Sequence, residues 1–122
     1  MLTQPVVRAV ESYLQALKGT GISVRFAVVF GSQVTGIADE WSDIDVLLVS
    51  PRFDLPRDRA DIDLLWRVAA RTDSRIEPVP CGERQWEEDT SSAIIEIARR
   101  EGELIPGPTA VHTEARNTGL SS

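Results

Sequence analysis

The sequence predicts a small α/β (α+β) domain, one mixed β-sheet with helices packed on it. Two observations predict it. Apolar residues recur at helical spacing in three stretches, and three shorter β-branched or aromatic runs lie among them. The order is helix, strand, strand, helix, strand, helix. The length, 122 residues, accommodates one such core and leaves little room for a second.

Residues 4–18 are expected to form the first helix, with Val6, Val10, Tyr13, Leu14 and Leu17 on one face, Pro5 in the first turn and Gly19 at the end. Residues 24–30, VRFAVVF, read as a buried strand that Gly31-Ser32 breaks. Residues 43–49, DIDVLLV, read as a second strand ended by Pro51. Asp58 can cap a helix over 59–72 that buries Ile62, Leu65, Val68 and Ala69. Residues 75–80, RIEPVP, carry two prolines and therefore suit an edge strand. A last helix is expected over 92–101, with Ile94, Ile95, Ile97 and Ala98 inside and Gly102 after it. The domain is assigned to 1–105. The polar, aperiodic remainder, 106–122, is expected to be a flexible tail.

A net charge of −6, with Lys18 the only lysine, argues against a nucleic-acid partner, which calls for a basic face. Arginines at 52, 57, 59, 67 and 71 read as a solvated helix face paired with acids rather than as a binding patch. No apolar run approaches the roughly 20 residues of a membrane span, and no signal-peptide pattern follows Met1. The single cysteine, Cys81, has no internal disulfide partner. The expectation is a cytoplasmic protein without a membrane partner.

The chemistry-bearing segment is FGSQVTGIADEWSDIDVLL, residues 30–48. Strand side chains alternate, so Asp43 and Asp45 point the same way, with Cα atoms about 6.5–7 Å apart. Ile44, Val46 and Leu48 then face the core. Two adjacent carboxylates repel unless a proton or cation sits between them, and magnesium with substrate phosphates is the natural partner. Gly31 and Ser32 let the backbone approach a phosphate, and Gly36 allows a second sharp turn. The tripeptide Asp-Ile-Asp recurs at 61–63 within the predicted helix. There, residues two apart diverge by about 200°, so Asp61 and Asp63 cannot share an ion.

A glycine–serine pair, ten residues, then Asp-x-Asp opening an apolar strand resembles the signature of the DNA-polymerase-β-like nucleotidyltransferase superfamily. Within it, the chain is similar to the lone minimal nucleotidyltransferase domains, many of which act as antitoxins beside HEPN-domain partners. The likeness covers roughly residues 5–105. Its specific part is 31–45, where Ser42 also matches the common Ser-Asp-x-Asp form. The resemblance implies a polymerase-β-like fold and a third carboxylate on the strand after the intervening helix, where Glu77 stands. It makes Asp43, Asp45 and Glu77 the catalytic and metal-holding residues, for two magnesium ions about 3.5–4 Å apart. Gly31 and Ser32 become the nucleotide-binding residues. The implied reaction transfers a nucleoside monophosphate, AMP from ATP first of all, to a hydroxyl. The implied acceptor is a partner protein such as a HEPN toxin, and the implied role is that of an antitoxin.

One departure stands out. Family members often carry arginine just after the serine and again two residues later, where this chain has Gln33 and Thr35. Arg25, Arg52 or Arg75 would then have to compensate. Three other readings stay open: an inactive module that neutralises its partner by binding, nucleotidylation of a small molecule, and a homo-oligomer sharing a site. Glu77 also has an ordinary reading, an edge-strand acid paired with Arg75. Ser32 as a hydrolase nucleophile lacks a base, since the only histidine, His112, lies in the expected tail. Trp41, Trp66 and Trp86 could stack a base, but Trp66, beside core positions on its helix, reads as packing. Trp41 divides evenly between a lid and an anchor.

Overall fold

The computed structural model describes residues 2–36, 38–39, 41–56 and 58–108. Arg57, His112 and the greater part of the expected tail therefore lie outside the described residues. Helix α1 (Gln4–Gly19) has Pro5 in its first turn, where a missing N–H breaks no helical bond, and buries the five residues expected of it. It leads into strand β1 (Phe26–Phe30), the single-turn helix α2 (Ser32–Thr35) and strand β2 (Ile44–Val49). A 3₁₀ turn over Pro51–Asp54 precedes helix α3 (Arg59–Thr72). Asp58 caps α3 by accepting from the Ala60 N–H at 2.9 Å. Strand β3 (Ile76–Cys81), helices α4 (Glu83–Glu88) and α5 (Ala93–Glu101), and strand β4 (Glu103–Pro106) complete the chain.

The four strands form one mixed sheet in the order β3-β2-β1-β4. β1 pairs antiparallel with β2 and β4, and β2 pairs parallel with β3. The proline-bearing β3 lies at an edge, as a strand lacking those N–H donors must. Each face of the sheet has its own core. Ala27, Val29, Ile44, Val46, Leu48 and Ile76 pack under α1 and α3, while Val28, Leu47, Val49 and Cys81 pack under α5 with Ile95 and Ala98. The buried Tyr13 hydroxyl donates to the Leu65 carbonyl at 2.9 Å and so ties α1 to α3, and burial pushes the phenol's pKa up.

Three expectations need correction. On α5 only Ile95 and Ala98 are buried, while Ile94 and Ile97 are exposed, because this nine-residue helix covers the sheet with a narrow stripe. Trp66, expected in packing, is 48% exposed on α3. α4 and β4 did not figure in the predicted order, and β4 ends at Pro106, where the expected tail begins. No described helix is long and apolar enough to cross a membrane.

Candidate active site

The site lies where β1 ends and β2 and β3 begin. The β1–β2 register ends at Phe30 opposite Asp45, and the parallel β2–β3 register sets Asp45 opposite Glu77. Paired residues share a face, so both acids stand on the α5 side of the sheet with Leu47, Val49 and Cys81. Asp43 precedes β2 and is exposed, whereas Asp45 and Glu77 are half-buried. Asp43 and Glu77 lie beside each other: hydrogen bonding to Asp43, then partial burial and the charges of Asp43 and Asp45, raise the Glu77 pKa above its ordinary value. Partial burial, with Asp43 nearby, likewise raises the pKa of Asp45.

Gly31 makes this arrangement possible on two counts. Its φ of 79° is one that side chains rarely adopt, and a Cβ there would stand 2.5 Å from Asp45 Oδ2. The carboxylate thus lies directly over the glycine. Gly31 is the N-cap of α2, and its carbonyl accepts from the N–H groups of Val34 and Thr35. Those of Ser32 and Gln33 precede the first helical bond. Gly36, with φ of 85°, closes α2 in the left-handed conformation.

The loop back to β2 is braced at its end. Ser42 Oγ donates to Asp39 Oδ1 at 3.2 Å and accepts from the Asp39 N–H at 3.0 Å, while the Trp41 N–H also donates to Asp39 Oδ1. Gln33 reaches across from α2: its Nε2 donates to the carbonyls of Ser42 (3.2 Å) and Asp43 (3.1 Å). Sequence reasoning treated Gln33 only as a missing arginine. Nothing in the residue type announces a bond to a backbone ten positions away.

The other expected participants fall elsewhere. Asp61 lies on α3 and takes a two-point bond from Arg52 (2.9 Å on each oxygen), and Asp63 is exposed on the same helix, so the second Asp-Ile-Asp gathers no shared site. Arg25 pairs with Glu83 at 2.8 Å. Arg25 and Arg52 flank the ends of β1 and β2 remote from Asp45, so neither faces the site. Arg75 does sit beside it, since its carbonyl accepts from the Ile44 N–H, and its guanidinium pairs with Asp73 at 2.7 Å. Trp86 packs edge-on against Phe26 and under Arg99, whereas Trp41 is 81% exposed. Cys81 is a buried strand-end thiol.

The donor set suits magnesium chemically. Two of its three carboxyls, Asp45 and Glu77, have pKa values raised by burial and by neighbouring acids, and a hard dication with oxygen ligands is the partner that offsets such crowding. Among the described residues, no three acidic, histidine or cysteine side chains are already arranged as a ligand set. Asp43, Asp45 and Glu77 are the residues that would hold the ion.

The sheet and its helices have the polymerase-β-like nucleotidyltransferase fold. The sequence matches the nucleotidyltransferase domain over residues 7–98, and the chain belongs to that family. A protein of Sulfolobus solfataricus, provisionally described as a nucleotidyltransferase, superposes with a TM-score of 0.58 at 13% identity, over 82% of this chain and 78% of its own. A toxin–antitoxin structure with AMP-PNP superposes with a TM-score of 0.55 at 20% identity, over 84% and 77%. At such identities the likeness is one of fold. No curated protein sequence matches the chain.

Proposed function

We propose that this chain is a magnesium-dependent nucleotidyltransferase that moves a nucleoside monophosphate, AMP from ATP, onto a hydroxyl of a partner protein, and that it serves as an antitoxin. The observation that carries the reading is the cluster itself: Asp45 opposite Glu77, Glu77 beside Asp43, and Asp45 lying over Gly31. An ordinary surface would not gather three acids around a glycine turn, because like charges at that spacing cost stability. Membership of the nucleotidyltransferase family supports the reaction class. The fold shared with a toxin–antitoxin structure holding AMP-PNP supports the nucleotide and the protein partner, which the resemblance identifies with a HEPN toxin.

In the proposed reaction an acceptor hydroxyl oxygen attacks the α-phosphorus, the bond from that phosphorus to the bridging oxygen breaks, and pyrophosphate leaves. Gly31 and Ser32 receive the phosphates through backbone N–H groups and the Ser32 hydroxyl. Magnesium, held by Asp43, Asp45 and Glu77, would supply neutralisation of the charge on the α-phosphate and the departing pyrophosphate. The hydroxyl proton leaves to solvent, and Glu77, opposite Asp45, completes the carboxylate set that would hold the ion. Among Arg25, Arg52 and Arg75, it is Arg75, whose carbonyl accepts from the Ile44 N–H, that lies nearest the site, although its guanidinium is paired with Asp73.

ATP labelled at the α-phosphate, incubated with magnesium and the protein that co-purifies with this chain, should label that partner, while γ-labelled ATP should not. Label from neither, with the partner still inhibited, would establish the second reading, an inactive module that acts by binding. The uncharged Gln33 and Thr35 are the observation that favours it.

A further inference from the structure

Asp43 stands past the last rung of the β1–β2 ladder, which ends at Phe30 opposite Asp45. On the β3 side its neighbour is held, because the Ile44 N–H donates to the Arg75 carbonyl at 2.8 Å. On the β1 side no strand remains to hold it. The Gln33 amide occupies that place, with one N–H on the Ser42 carbonyl and the other on the Asp43 carbonyl. An amide nitrogen has two hydrogens, enough to serve both carbonyls.

We propose that Gln33 is a positioning residue: by gripping the backbone at Ser42 and Asp43, it aims the Asp43 carboxylate at Asp45 and Glu77 and so sets the site's affinity for a divalent cation. The inference rests on the proposed function, in which Asp43 is a metal ligand. It gives position 33 a different task from that of a phosphate-facing arginine. α2 carries only one helical turn, and its Gly31 end lies against the Asp45 carboxylate. Gln33 thereby links the two aspartates' supports into one unit. Partners that orient a metal ligand in this way commonly change affinity or activity by about 10–100-fold when removed.

Manganese binding, followed by electron paramagnetic resonance with a non-hydrolysable ATP analogue present, tests this without turnover. Gln33→Met keeps the volume and loses both donors, and it should weaken manganese binding at least tenfold while its melting temperature in chelator stays close to wild type. Gln33→Glu keeps the shape but sets an acceptor against two carbonyls, so it should weaken binding further. A merely structural role would lower the melting temperature in chelator and leave the folded protein's manganese affinity alone. Wild-type manganese affinity in Gln33→Met, alongside loss of binding in Asp43→Asn, would overturn the role of Gln33 and spare the metal site. Wild-type affinity in Asp43→Asn would instead overturn the metal site, and the inference with it.

Discussion

Asp43 and Asp61 each open an Asp-Ile-Asp tripeptide, and their surroundings give them opposite chemistry. Asp43 leads into a strand facing Glu77, and Asp61 sits on a helix against Arg52. Asp43→Asn or Asp45→Asn should therefore lower magnesium-dependent nucleotide binding at least 100-fold, while Asp61→Asn and Asp63→Asn leave it within about twofold. Isothermal titration with an ATP analogue decides this, and equal losses at both tripeptides would contradict the assignment. The pH dependence has a definite sign. Glu77 and Asp45 have raised folded-state pKa values, so they hold protons more tightly than the unfolded chain does. Their contribution to stability is present below the ordinary carboxylate range near pH 4 and is lost as pH rises through the raised values. In chelating buffer, Glu77→Gln should thus melt with wild type at low pH and above it at neutral pH, and excess magnesium should narrow the gap. A thermal-shift series from pH 3 to 7 measures it; a variant less stable at neutral pH would count against the shared cluster. Gly31→Ala should lose nucleotide binding with Asp45 itself unchanged, since the added Cβ meets Asp45 Oδ2 and the φ becomes strained.

At the scale of elements, the legible parts were those whose signal is local. α1 and α3 show long apolar periodicity and a proline or aspartate at their starts, while β2 is a continuous apolar run. β3 announced its edge position through Pro78 and Pro80. What escaped depends on distant partners. The polar α4 is capped by Asp54, which accepts from the N–H groups of Glu83 and Arg84 some thirty positions on. β4 has four residues and one fully buried side chain, Ile105, too short a run to show alternation. In the site, the aspartates and Gly31 were readable from spacing, and Glu77 required the family resemblance. The Gln33 contact was not readable, because it exists only once α2 and the turn before β2 are folded together. β4 is nevertheless integral, since it extends the sheet beyond β1 and Ile105 enters the α1 core. Ile105→Ala should cost about 2–4 kcal/mol in urea unfolding. Leu104→Ala, at an exposed position, should cost under about 1 kcal/mol.

At the scale of the molecule, one small sheet separates two tasks. The α1–α3 face holds the larger core, and the end of the α5 face carries the acids. The proposed acceptor is another folded protein. The most direct test of that proposal is intact-mass spectrometry of the co-purifying partner after incubation with this chain, ATP and magnesium. The partner should gain one nucleoside monophosphate residue per modified hydroxyl, should fail to gain it with Asp43→Asn or Asp45→Asn, and should stay inhibited after this chain is removed. An unchanged partner mass with every nucleoside triphosphate, together with equal inhibition by wild type and Asp43→Asn, would contradict the account.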